Sequence, residues 1–154
     1  MSPRIDYQNA SPAATKAMLQ LQAAVNHSGL EGSILELVKL RASQINGCAY
    51  CIDMHSKDAK ALGESDERLH LLAAWREAPY YTPRERAALL WTESLTLVAE
   101  RGVPDEVFEE VRPHFNDAEL TNLTLAVVAI NGWNRIAIGF RPVVGQYEPL
   151  SALK

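Results

Sequence analysis

The chain has very little cysteine: among 154 residues there are only Cys48 and Cys51, three positions apart. A disulfide closing so small a loop removes little freedom from the unfolded chain, and a chain of this length buries enough apolar surface to fold without a covalent staple. The pair therefore reads as catalytic or metal-binding. The sequence also lacks an excess of positive charge, with 15 Lys and Arg against 19 Asp and Glu and a formal net charge of −4. Together with the absence of any basic run, this excludes a nucleic-acid footprint. Long hydrophobic runs are missing as well: the clearest, Leu125 to Ile130, is too short to span a bilayer. The opening MSPRIDYQNASPAATK has no apolar core of a secretion signal, so the expected location is cytoplasmic, away from any membrane. No sustained period-two alternation, internal repeat or low-complexity tract appears. What remains is an ordinary globular composition, 47% hydrophobic and 22% charged.

Helical punctuation is plentiful. Ser11-Pro12 reads as the N-cap and first residue of a helix through Met18, Leu21 and Val25 that stops near Ser28-Gly29. Ser33-Ile34-Leu35-Glu36 has the form of a capping box, opening a helix that ends at Asn46-Gly47. A third helix runs to Gly63. A fourth, opened by Ser65, stops before Pro79. Thr82-Pro83-Arg84-Glu85 starts a fifth that reaches Glu100 or Arg101. A shorter acidic one follows Val103-Pro104-Asp105, and Asn116-Asp117-Ala118-Glu119 caps a final apolar helix to about Phe140. Residues 1–10 read as an arm, and the tail from Arg141 is irregular. The expectation is one all-α domain of six or seven helices.

The stretch from Ser33 to Gly63 carries the chemistry. At about 100° per residue, positions 48, 51 and 55 share an arc of roughly 60°, so two thiols and the His55 imidazole lie on one helical face. Cysteines at i, i+3 are about 5 Å apart at Cα, within disulfide reach. Cys51 and His55 form an i, i+4 pair in which the imidazole can take the thiol proton. If the chain doubles back at Asn46-Gly47, Glu36 and His55 lie roughly 16 Å and 12 Å from the turn on facing helices, where the carboxylate can orient the base. Two other readings stay open for these residues. Glu36 can cap its own helix, and Cys48, Cys51 and His55 can be metal ligands with Glu36 or His70 as a fourth. Lys57, Asp58 and Lys60 read as a solvated face. The attacking sulfur is ambiguous too, because a helix start favours Cys48 and the imidazole favours Cys51.

Glu36, eleven residues, Cys48-Ala49-Tyr50-Cys51, three residues and His55 resemble the signature of the alkylhydroperoxidase AhpD group within the carboxymuconolactone decarboxylase family. Arg41 to Gly47 and Asn131-Gly132-Trp133-Asn134-Arg135 are similar to that group as well. The likeness spans about residues 15 to 142, so residues 1–154 read as a single AhpD-like domain with a flexible N-terminal arm and C-terminal tail. It implies an all-α helical bundle with the CxxC motif on a helix-turn-helix hairpin, usually assembled as trimers or hexamers. It further implies a thiol-dependent peroxidase and disulfide oxidoreductase, with Cys51 as peroxidatic thiol, Cys48 as resolving thiol, and His55 with Glu36 as a proton relay. The partners are then a small hydroperoxide and an external dithiol or disulfide-reductase, with no cofactor or metal. One position departs from the pattern: Tyr50 stands where AhpD has a second histidine, and a phenol is a far weaker base at neutral pH. Two alternatives follow from the same residues, a carboxymuconolactone decarboxylase-type lyase and a non-catalytic redox- or metal-responsive module.

Overall fold

A computed structural model describes residues 2–149. Among these residues nine α-helices follow in order: α1 (Tyr7–Ala10), α2 (Pro12–Asn26), α3 (Gly32–Asn46), α4 (Ala49–Ala61), α5 (Asp66–Leu71), α6 (Pro83–Thr96), α7 (Val98–Arg101), α8 (Asp105–Val111) and α9 (Asp117–Phe140). Single 3₁₀ turns, Leu72–Ala74 and Arg112–His114, extend α5 and α8. No strand occurs among the described residues. The all-α architecture expected from the sequence is the one observed, and the extra helices are single turns or fragments of longer expected ones.

The signals at Thr82 and Asn116 behave as their chemistry requires. Each side chain accepts the backbone N–H three residues on, and the Glu85 or Glu119 carboxylate accepts the backbone N–H of the cap residue in return. The expected box at Ser33 does not form. The helix begins two residues earlier, with Glu31 as an N-cap that makes no side-chain capping bond. Glu36 then lies beyond the first turn, where no unpaired N–H is left for it to satisfy. Its carboxylate is free to face the interior. The expected helix from Thr82 to Arg101 is likewise interrupted at Leu97, which leaves helical geometry at φ −99°, ψ 22°.

Helix α3 is the hub, packed against α4, α6 and α9. Leu37, Val38, Leu40 and Ala42 are shut away from solvent. Most of the core falls into two apolar bodies. One joins Val25, Ile34, Leu35, Val38 and Trp91 to Leu120, Leu123 and Val127 of α9. The other gathers Leu37, Leu40, Ala59, Leu72, Trp75 and Leu89 on the opposite side of α3. Helix α9 is long and apolar enough by composition to cross a membrane; here it lies against α2, α3 and α6 and buries Leu123, Val127 and Ile130. At Gly132 the α2 neighbour is the tip of the Met18 side chain, whose Cε would lie 2.9 Å from an added Cβ and can turn aside.

Both ends of the described segment are laid on this bundle. Arg4 donates its backbone N–H to Phe140 O at 2.9 Å, and Tyr7 stacks on Phe140 with ring centroids 5.8 Å apart. The segment after Arg141 crosses back over α4, where Lys57 Nζ donates to Tyr147 O at 3.0 Å and Gly145 N to Asp53 Oδ2 at 3.2 Å.

Candidate functional site

The site is organised by the turn between α3 and α4. Gly47 adopts φ 69°, a left-handed conformation that a Cβ disfavours, and Cys48 N–H closes the end of α3 by bonding Ser43 O at 3.0 Å. Asn46 fixes the turn against α9 by donating to Asn134 Oδ1 at 2.8 Å and Asn131 Oδ1 at 3.0 Å, and the fully buried Asn134 donates in turn to Ser43 Oγ at 3.0 Å. Every partner in this network is a short polar side chain on a fixed helix. The hairpin therefore has one register.

Cys48 is the N-cap of α4, and its Sγ accepts the backbone N–H of Cys51 at 3.3 Å. The two sulfurs form a disulfide, with Cα atoms 5.3 Å apart, so the structure holds the oxidised form of the pair. Both cysteines are buried, packed with Ala137 and Tyr50. One turn further along the same buried stripe of α4 stands His55.

Glu36 and His55 meet across the hairpin, with His55 Nδ1 2.8 Å from Glu36 Oε2. The other carboxylate oxygen accepts from Lys39 Nζ at 2.7 Å. Burial would raise the Glu36 carboxyl, but the hydrogen bond and charge of His55, together with those of Lys39, outweigh it and hold the group below the ordinary glutamate range. A buried anion is thus maintained where it can bind Nδ1 and leave Nε2 to exchange protons. Asp58 Oδ2 lies 3.9 Å from His55 Nδ1, and Asp58 Oδ1 accepts from the Tyr147 hydroxyl at 2.7 Å. The Tyr147 phenol is pushed far up by burial and by its hydrogen bond to Asp58, so it stays a donor at neutral pH.

The structure joins the four residues expected from the sequence as two pairs, Cys48 with Cys51 and Glu36 with His55, one turn of α4 apart, and adds three residues around them. Lys39 was legible in principle, as an i, i+3 partner of Glu36. Asp58 and Tyr147 were not, because the contact spans 89 positions and the tail has no periodicity. Of the expected solvated face, Lys57 and Asp58 instead hold the tail, whereas Lys60 pairs with Asp66 near the surface. Glu36, His55 and Asp58 offer ligand atoms within 4.8 Å of one another, a geometry that could hold a cation, but the Lys39 ammonium already neutralises Glu36. The sulfurs of the alternative metal set are tied to each other, and His70 is exposed on α5.

A cavity of about 520 Å³ opens beside the disulfide, lined by Cys48, Tyr50, Ala137, Ile138, Arg141 and Val144 among others. Its wall includes Cys48 but not Cys51. Tyr50, half-buried here, has its phenol raised by burial, with the neighbouring Tyr7 and Asp53 adding to the effect. It can donate a hydrogen bond but not act as a base near neutrality.

Residues 12–94, more than half of the chain and the part that carries the disulfide, match the carboxymuconolactone decarboxylase family. The chain belongs to that family. Within the carboxymuconolactone decarboxylase family it is AhpD-like, as its motif implied. A solved structure from Agrobacterium tumefaciens, a protein of unknown function described as a candidate AhpD antioxidant-defence protein, is 49% identical, covers 95% of this chain and 100% of its own, and has a TM-score of 0.91. The uncharacterized protein YdfG of Bacillus subtilis is 41% identical over 90% of this chain and 94% of its own length. The debrominase Bmp8 shares the fold at a TM-score of 0.80 with 15% identity, covering 90% of this chain and 75% of Bmp8. At that identity the likeness is one of fold alone.

Proposed function

We propose that this family member is a thiol-dependent peroxidase and disulfide oxidoreductase that reduces hydroperoxides through Cys48 and Cys51. The observation that carries the reading is the disulfide at the start of α4, one turn from a His55 held by the Glu36 carboxylate at 2.8 Å. In the reduced protein His55 takes the Cys51 proton, and the thiolate attacks the terminal oxygen of the hydroperoxide. The O–O bond breaks, Cys51 becomes a sulfenic acid, and the leaving alkoxide takes the proton from His55. The Cys48 thiol then displaces hydroxide from that sulfur as water, giving the disulfide seen here. An external dithiol supplies the two electrons that restore both thiols. Its thiolate attacks Cys48, the sulfur bordering the cavity, and Cys51 leaves beside His55.

In this reading Glu36 and Lys39 set the orientation and charge of His55, and Tyr50 replaces a second base with a donor. We place the protein in the cytoplasm as a homo-oligomer, a trimer or hexamer. Exposed Leu19 on α2 and Leu125 and Val128 on α9 support association. The lyase reading has no comparable support, since it makes no use of a redox pair.

The test is peroxide consumption with a dithiol by wild type, Cys48→Ser, Cys51→Ser and His55→Ala, with sulfenic acid trapped by a dione reagent. Both Ser variants should lose turnover, and only Cys48→Ser should accumulate trapped sulfenic acid. His55→Ala should be slowed more at neutral than at high pH. Equal activity in all four proteins would remove the mechanism, and lactone turnover by the double Ser variant would support the lyase instead.

A further inference from the structure

The cavity beside Cys48 has a chemical character that thiol chemistry alone does not require. Ala137, Ile138, Pro142, Val143 and Val144 make most of its wall apolar. Arg141 is the one cation in that wall, and among the described residues it has neither an ion pair nor a side-chain hydrogen bond. The other arginines of the tertiary core are committed: Arg41 to Glu93, Arg68 to Glu64 and Glu85, Arg84 to Glu31 and Glu119.

The placement of Arg141 is built into the backbone. It is the single non-glycine residue at positive φ among the described residues, at 59°, ending α9 in a left-handed turn. That turn sends Val143 and Val144 back across the cavity, where the bonds of Gly145 to Asp53, Tyr147 to Asp58 and Lys57 to Tyr147 anchor the returning chain. A side chain other than glycine in this conformation is strained, and the fold retains it where its charge lines a cavity.

We propose that this cavity binds an amphipathic carboxylic acid, its carboxylate paired with Arg141 and its apolar body against Ile138, Val143 and Val144. The inference rests on the peroxidase reading for its consequence, that the oxidising substrate is a hydroperoxide carried on such an acid. The volume of about 520 Å³ lies within the range of small-molecule sites and suits a medium-length chain. Arginine is the side chain matched to a carboxylate, through two parallel hydrogen bonds, and an apolar surround strengthens that pair. Tyr50 on the same wall has no side-chain hydrogen bond to another described residue and offers a hydroxyl to the bound molecule.

Binding is measured by calorimetry on the oxidised protein, which cannot turn over, with decanoate and methyl decanoate as probes. Decanoate should bind at least tenfold more tightly than the ester. Arg141→Gln should remove that preference and Arg141→Lys should keep part of it. Val144→Glu, at a half-exposed position that tolerates charge, should abolish decanoate binding with the melting curve unchanged. Equal binding of acid and ester, or an undiminished preference in Arg141→Gln, overturns the proposal. The reduced enzyme is then given an apolar acid hydroperoxide and its methyl ester. Selective decanoate binding without consumption of any hydroperoxide would sink the peroxidase reading and leave the binding site standing, whereas turnover that ignores the carboxylate would do the reverse.

Discussion

Replacing Glu36 by Gln tests the centre of the site with a change of charge and almost none of shape. The carboxylate has two donors, His55 Nδ1 at 2.8 Å and Lys39 Nζ at 2.7 Å, and all three residues are less than one tenth exposed. An amide can accept from one of them but must turn its own N–H₂ toward the other. It also leaves the Lys39 ammonium buried without a counter-charge. Breaking a buried pair from one side costs about 3–5 kcal/mol, and the one surviving acceptor puts this case near the lower end, about 3 kcal/mol. For a domain of this size that is a fall in Tm of about 6–12 °C. Adding Lys39→Met removes the stranded charge, so the double variant should recover most of the loss.

The pH dependence gives the argument a sign. The Glu36 carboxyl is held below its ordinary value in the folded state, so its contribution is complete above the unfolded value of about 4.3 and is lost as pH falls through the lower folded one. The gap in Tm between wild type and Glu36→Gln, followed by circular dichroism on fully oxidised protein, should be widest at neutral pH and shrink in acid. A Glu36→Gln protein that melts with wild type at neutral pH, or a gap that is constant into acid, would refute the reasoning.

Two further outcomes follow from the surrounding network. Tyr147→Phe removes the hydrogen bond to Asp58 and should lower stability by about 1 kcal/mol. Amide exchange across residues 143–149 should then quicken, and exchange at the wild-type rate would mean that this bond does not hold the tail. Asn134→Leu takes the acceptor from Asn46 and the donor from Ser43 inside the core, which should cost about 2–4 kcal/mol in a denaturant titration. An unchanged midpoint would show that the hairpin register does not depend on α9.

Where a feature is set by neighbours in sequence, it was legible from the residues. The boxes at Thr82 and Asn116 formed because each is a self-contained exchange of hydrogen bonds within one turn. The meeting of Glu36 with His55 followed from the rise per residue and one tight turn at Gly47, a rigid-rod calculation that needs no tertiary knowledge. Ser33 had the same local signal as Thr82, yet the interior position of Glu36 prevailed, since His55 and Lys39 offer its carboxylate more than a capping bond does. Lys57 and Asp58 looked solvated because charge patterning along a helix carries no sign of a distant segment laid over it. The same blindness hid Arg141 and Tyr147, whose significance arises only once α9 ends where it does.

The position of Cys48 at the helix start ties the dithiol–disulfide equilibrium of the pair to secondary structure. Its sulfur accepts an amide N–H in the disulfide, and the more electron-rich sulfur formed on reduction is a stronger acceptor for the same group. Whatever free energy the cap gains on reduction must appear, around a closed thermodynamic cycle, as a more oxidising couple. A gain of about 1 kcal/mol corresponds to roughly 20 mV. The first turn of α4 thereby acts as a tuning element for the half-cell potential, and lengthening or fraying it would retune the redox balance without touching either sulfur.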